Sequence, residues 1–91
     1  MYNLTTTKCF DKQYKKISKS KDIVIVDEII TKLLNGEIFE KKYKDHKLKG
    51  NLKAHRECHI KPNLLLLYKK QNDILLITCV DIGNHSKVLG L

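Results

Sequence analysis

The 91-residue sequence contains no Trp, one Pro, four Gly and a single Arg. The scarcity of Pro and Gly, together with 42% hydrophobic residues, excludes a collagen-like chain, a low-complexity linker and a disordered tail. Long apolar runs are also missing, because the longest cover residues 23–26 and 64–68 and a bilayer span needs roughly 20. We therefore expect one compact domain over residues 1–91 that does not enter a membrane.

The first ten residues contain one basic side chain and no apolar stretch, which is unlike a secretory signal peptide. We therefore expect the protein to stay in the cytoplasm. The three cysteines, Cys9, Cys58 and Cys79, cannot all pair, and in a cytoplasmic chain they are predicted to be small hydrophobic side chains. A zinc site formed by His55, Cys58 and His59 is the alternative. Residues 53–60 are predicted to form a strand, which would put Cys58 and His59 on opposite faces, so we expect no metal there.

Acidic residues are in the minority: the sequence has ten Asp and Glu and eighteen Lys and Arg, which gives a net charge of +8. The cations are concentrated in residues 41–61, which contain seven Lys, Arg56 and three of the four histidines. A basic patch of this kind binds nucleic acid, an anionic membrane or an acidic protein, or it is only a solvated lysine-rich face. A membrane-surface helix is disfavoured, because the stretch has no apolar stripe at helical spacing.

The hydrophobic pattern predicts an α+β domain with the element order β-α-α-β-β-β. Residues 2–7 are predicted as a strand, Thr7 as the cap of a first helix, and Asp22 as the cap of a second helix over residues 23–34. Residues 37–50 form the longest predicted loop. Three strands follow at residues 52–60, 64–68 and 74–80, with turns at residues 61–63 and 69–73. A bulge or a twist is expected to turn Arg56 away from the apolar side. The two helices would form a hairpin packed on one face of an antiparallel sheet.

Four histidines in 91 residues, three of them in the basic stretch, indicate acid–base chemistry. Any single one is most simply a surface imidazole. Together with a field of cations they match the needs of RNA cleavage through the 2′-hydroxyl, in which one group removes a proton, another supplies one and cations stabilise the phosphorane. DNA lacks this nucleophile and should be spared. Binding domains that do no chemistry also carry histidines, so both interpretations stay open at this point.

Four blocks of sequence in a fixed order resemble the YafQ-type branch of the RelE/ParE toxin superfamily. They are YKDHKLKG at residues 43–50, RECHIKPN at residues 56–63, LLLLY at residues 64–68 and GNHS at residues 83–86. The resemblance implies a type II toxin: a metal-independent, cofactor-free endoribonuclease that cuts mRNA on the ribosome and is inhibited by an acidic antitoxin. It also implies a RelE-like fold over the whole chain.

The resemblance assigns roles by position. His46, His59 and His85 match the catalytic histidines of the family, and Asn63 stands where the family usually has a catalytic Asp. Leu89 stands where a Phe positions the RNA base. The residues implied to hold phosphate are Lys44, Lys49, Lys53 and Arg56.

Some positions depart from the family pattern. Asn63 cannot exchange a proton at neutral pH, Leu89 offers no ring for stacking, and Asp81 stands where many relatives have an Arg. His55 replaces the usual aromatic residue. These departures leave three hypotheses: a ribonuclease toxin with His85 as general acid, a toxin fold that binds antitoxin or ribosome without efficient cleavage, and a plain basic binding domain. The set of histidines favours the RNA-cleaving branch over the branch that inhibits gyrase.

Overall fold

The computed structural model describes residues 1–37, 43–48, 50, 54–84 and 88. Two helices and five strands follow one another along the chain. They are β1 (Asn3–Thr6), α1 (Lys8–Ile17), α2 (Asp22–Leu34), β2 (His46–Lys47), β3 (Arg56–Lys61), β4 (Leu64–Gln71) and β5 (Leu76–Gly83). The predicted α+β class and the helical pair are thereby confirmed. Among the described residues, none of the helices has the length and hydrophobicity required to cross a membrane.

Local chemistry explains where α1 begins and where α2 ends. The Thr7 hydroxyl accepts a hydrogen bond from the Phe10 amide at 3.1 Å, which confirms Thr7 as the cap of α1. Helix α2 ends at Asn35 and Gly36, and Gly36 has a φ of +73° that favours glycine. The prediction for Asp22 was wrong in detail: Lys21 occupies the cap position, and the Asp22 carboxylate accepts from Lys61 Nζ at 2.9 Å.

The five strands form one sheet in the order β1-β5-β4-β3-β2. Strands β3 to β5 pair antiparallel, as predicted, and β2 also pairs antiparallel to β3. Strand β1 instead pairs parallel to β5, so the sheet is mixed. The loop predicted at residues 37–50 contains β2, a two-residue strand that adds to β3. The sequence pattern missed it because two residues are too few to show an alternation.

Strand boundaries differ from the predictions by a few residues. Strand β3 begins at Arg56, and Ala54 lies in a turn. Strand β4 continues to Gln71, through the turn predicted at residues 69–73, and the turn that follows it is formed by residues 72–75. This shift leaves Ile74 and Leu75 outside the sheet and exposed at 56% and 49%. The polar residues at the end of β4 are typical of a turn in the sequence, but their backbone pairing with β5 makes them part of the strand.

The sheet has two different faces. The face covered by α1 and α2, called the helix face, carries the main core with Cys58, Ile60, Leu66 and Tyr68. The opposite face, called the open face, carries Glu57, His59, Leu65 and Leu67. The middle strand β4 is buried on both sides, which agrees with its run of leucines.

The predicted bulge at Arg56 does not occur. Arg56 stays in register opposite Tyr68, and the irregularity in the β3–β4 pairing falls between His59 and Lys61. The cation is tolerated on the apolar side because Asp45 lies against it.

Candidate active site

Sheet pairing brings polar side chains from separate parts of the chain into one row on the open face. His46 pairs with Glu57, Glu57 with Leu67, and Leu67 with Asp81. Alternate residues of a strand share a face, so His59 lies beside Glu57 on β3. Two predicted catalytic residues, His46 and His59, are thus brought together, with ring centroids 6.1 Å apart.

Glu57 joins the two histidines. Its side chain is 3% exposed, its Oε1 lies 2.7 Å from Nε2 of His59, and its Oε2 lies 3.9 Å from Nε2 of His46. A buried carboxylate costs several kcal/mol unless it has a cationic or hydrogen-bonding partner. The pair of imidazoles supplies that partner, because His59 donates from Nε2 and each ring can carry a positive charge.

The orientation of the His46 ring is set by its own strand. Its Nδ1 lies 2.5 Å from the carbonyl oxygen of Lys44, whose backbone adopts a φ of +46°. A carbonyl oxygen can only accept, so His46 Nδ1 carries a proton. In the neutral ring this leaves Nε2, on the Glu57 side, with a lone pair. His46 is therefore oriented to accept a proton at Nε2 and to be stabilised by Glu57 once charged.

Asp45, directly before His46, is held on the helix face. Arg56 donates to it through Nη2 at 3.2 Å and Nε at 3.4 Å, and the Tyr68 hydroxyl donates to its Oδ1 at 2.5 Å. Burial lowers the pKa of Arg56, but the hydrogen bonds of Asp45 and Tyr68 and the negative charge of Asp45 together outweigh that effect and raise it. Burial, followed by the hydrogen bond to Asp45, raises the pKa of the Tyr68 phenol. Arg56 and Tyr68 thus stay protonated as donors.

A cleft of about 470 Å³ opens beside His59 at the end of β3. Its walls include Ile25, Ile60 and Pro62, and Lys44 lies at its border. His59 is therefore accessible both from the open face and from this cleft. Asn63, predicted to stand at the catalytic Asp position, is exposed in the two-residue turn between β3 and β4.

The structure does not describe several predicted site residues. His85, Lys49, Lys53 and Leu89 lie outside the described residues. The register nevertheless pairs Gly83 with Leu65 and Leu65 with His59, so the last residue of β5 shares a row with His59. Val88 packs on Leu65 and Leu67, which returns the chain to the open face.

The metal alternative does not match the geometry. Cys58 is fully buried on the helix face, whereas His59 lies on the open face, as the strand alternation predicted. Within the described parts of the chain, no three His, Cys, Asp or Glu side chains are arranged to hold a metal ion.

Sequence reasoning missed the side chains that hold the histidines. No sequence-based prediction gave a role in the site to Glu57, Asp45 or Tyr68. One signal was present for Glu57: a carboxylate flanked by His55 and His59 at strand spacing, facing an apolar strand, needs a cationic partner.

Comparison with known proteins agrees with this geometry. The family model described as the bacterial toxin of a type II toxin–antitoxin system, YafQ, matches residues 2–90. The mRNA interferase toxin YafQ of Escherichia coli K12 is 30% identical over 73 residues, which cover 79% of this chain and 77% of that protein.

Solved structures of similar toxins superpose over nearly the whole chain. A metal-bound toxin from Helicobacter pylori is 38% identical with a TM-score of 0.87, covering 97% of this chain and 99% of that one. The E. coli DinJ–YafQ complex contains a chain that is 27% identical with a TM-score of 0.87, covering 99% of this chain and 100% of that one. The chain therefore belongs to the YafQ family of toxins from bacterial type II toxin–antitoxin systems.

Proposed function

We propose that this protein is a metal-independent endoribonuclease that cuts mRNA on the ribosome and is inhibited by an acidic antitoxin. The observation that carries the proposal is the buried Glu57 carboxylate with two imidazoles beside it, on the open face of a YafQ-type fold. The relatives named mRNA interferase support the reaction class. The site of action is then the cytoplasm, where translating ribosomes are found.

The chemistry follows from the substrate. The RNA 2′-oxygen attacks the adjacent phosphorus, its proton passes to a base, and the 5′-oxygen leaves with a proton from an acid, which yields a 2′,3′-cyclic phosphate. His46 suits the base role because its Nε2 carries a lone pair when the ring is neutral, and Glu57 would stabilise the resulting imidazolium. We assign His85 as the acid and His59 as a second base or phosphate ligand. Asn63 can only donate or accept hydrogen bonds, without transferring a proton.

Lysines provide the RNA contacts in this proposal. Lys44 is exposed beside His46 and the cleft, and Lys49 and Lys53 belong to the same basic stretch. Their ammonium groups would bind phosphates and stabilise the phosphorane, while Leu89 would offer an apolar surface to a base. The guanidinium of Arg56 is paired with the Asp45 carboxylate and is therefore not free to bind phosphate.

The antitoxin partner is inferred from charge and from the family. The net charge of +8 attracts an acidic protein as well as RNA, so one partner would exclude the other from the same basic surface. In E. coli, YafQ forms a complex with DinJ. We propose a partner of the same kind for this chain.

The decisive experiment adds purified protein to ribosomes stalled on a defined mRNA. We expect cleavage that persists in EDTA concentrations that leave the ribosome intact, and about 10²-fold or greater loss in His85→Ala. A single 2′-deoxy substitution at the cut site should abolish cleavage there. The matched control is Lys12→Ala on α1, which should cleave at the wild-type rate. Equal cleavage by His85→Ala, or cleavage of the 2′-deoxy substrate, would refute the mechanism.

A second candidate is a toxin fold that binds its partners but cleaves poorly. The observation in its favour is Asp81, which lies in the same row as Glu57 and adds a second carboxylate where a phosphate must approach. Asp81→Arg removes this repulsion, and Asn63→Asp restores an ionisable group. If wild type binds ribosomes without cutting and these substitutions restore cleavage, the second candidate is correct. If wild type cuts efficiently, the second candidate is wrong.

A further inference from the structure

The strand that carries His46 has little backbone support of its own. Strand β2 is two residues long. Among the described residues it pairs with β3 at Glu57 and Arg56, with one further backbone bond from the Leu48 amide to the His55 carbonyl at 3.1 Å. Lys44, two residues before His46, has a left-handed backbone, which is strained in a residue other than glycine. Contacts other than the backbone hydrogen bonds between β2 and β3 must therefore hold this segment in place.

The anchor lies on the other side of the sheet. Successive residues of an extended chain point to opposite faces, so Asp45 is on the helix face while His46 is on the open face. Asp45 accepts three hydrogen bonds there, two from Arg56 and one from the buried hydroxyl of Tyr68. Arg56 and Tyr68 are themselves paired across β3 and β4, which are inner strands of the sheet.

We propose that Asp45, Arg56 and Tyr68 form a clamp of positioning residues that sets the His46 imidazole against Glu57. The proposal rests on the proposed function, because His46 is taken as a catalytic group. It gives Arg56 a different task from binding phosphate. A planar guanidinium that donates two bonds to one carboxylate is fixed in direction, and its charge is neutralised on the face away from Glu57 and His59.

Fixing Asp45 also fixes His46, because the two residues are neighbours in the chain and a rotation of one backbone unit moves the next. A shift of about 1 Å at a reacting group lowers the rate by as much as 10²-fold. Loss of the clamp should therefore act on the chemical step and leave RNA affinity unchanged. Loss of a phosphate contact would do the opposite.

The first test needs no RNA. Histidine ring ¹⁵N signals of wild type, Asp45→Asn and Tyr68→Phe are compared, with Tyr14→Phe as the matched control. Tyr14 donates its hydroxyl to Asp27 on α2, away from β2. We expect the His46 ring signals to move in the two clamp variants and to stay in place in the control. Unchanged His46 signals in both clamp variants would overturn the proposal.

The second test measures single-turnover cleavage in two backgrounds. In an otherwise wild-type chain, Tyr68→Phe and Asp45→Asn should lower the maximal single-turnover rate about tenfold or more, with the half-saturating concentration within twofold. In a His46→Ala background the same substitutions should have no further effect. An equal loss in both backgrounds would overturn the proposal, as would Arg56→Lys acting through a raised half-saturating concentration with a weaker salt dependence. If wild type does not cleave mRNA but the ring signals move as expected, the proposed function fails and the clamp stands.

Discussion

Oε1 of Glu57 lies 2.7 Å from Nε2 of His59, in the interior of a small sheet where Glu57 itself is almost fully buried. A strand that also carries Cys58 and Ile60 in the core thus contains an ionisable pair on its other side. This pair, with His46 at its edge, is the feature that most clearly separates the open face from an ordinary solvated sheet surface.

Replacing Glu57 with Gln tests the charge of that pair. The amide keeps the size of the side chain but cannot offset a charged imidazole, and a charge-assisted hydrogen bond is about 1–2 kcal/mol stronger than a neutral one. We expect cleavage of ribosome-bound mRNA to fall about tenfold or more while the fold is retained. The measurement is single-turnover cleavage together with circular dichroism. A folded Glu57→Gln protein with the wild-type rate would show that the carboxylate has no part in the reaction.

The two histidines should differ in their contribution to stability. The side chain of His59 is 21% exposed and directly bonded to Glu57, whereas that of His46 is 50% exposed and lies 3.9 Å from it. His59→Ala leaves a buried carboxylate without its main partner, so we expect it to lower the free energy of unfolding by about 1–3 kcal/mol. His46→Ala should cost less than about 1 kcal/mol. Urea unfolding of both variants decides the matter, and equal losses would contradict the assignment of Glu57 to His59.

Salt dependence tests the lysines. Lys44→Gln should weaken ribosome binding and reduce the slope of log affinity against log salt by about one, because one phosphate contact is lost. Lys12→Gln removes the same charge from α1 and serves as the control. Binding is measured by filter retention at several salt concentrations. The contact at Lys44 is refuted if the two variants give the same slope.

The two buried thiols should make the stability of the fold depend on pH. Burial raises the pKa of Cys58 and of Cys79 to about 12, from a usual value near 9. The unfolded chain therefore loses these protons first, and the stability present below pH 9 is lost as the pH rises from 9 towards 12. We expect urea midpoints to fall between pH 8 and pH 10, and to fall less in Cys79→Ala.

In the folded protein at pH 8, a thiol reagent should label the exposed Cys9 rapidly and the other two only on unfolding. Rapid labelling of all three would contradict the buried positions.

Much of the architecture could be predicted because its signals are local. The cap at Thr7 and the turn at residues 61–63 depend on one or two residues each, and the leucine run of β4 indicates burial on both faces. Strand β2 could not be predicted, since its two residues form a strand only through pairing with β3. The same holds for Asp22, whose carboxylate accepts from Lys61, 39 residues away, instead of capping its own helix.

The same distinction between local and long-range signals applies to the candidate site. The sequence by itself determined a basic α+β domain of toxin type, because composition, periodicity and ordered motifs are properties of the chain read in one dimension, and its motifs named His46 and His59 as candidate site residues. Only the tertiary structure decided that Glu57 joins those two rings, and that Arg56 and Tyr68 hold Asp45 on the opposite face. The reason is physical: the role of a charged side chain depends on the groups within about 4 Å of it. Strand register across the sheet determines which groups those are.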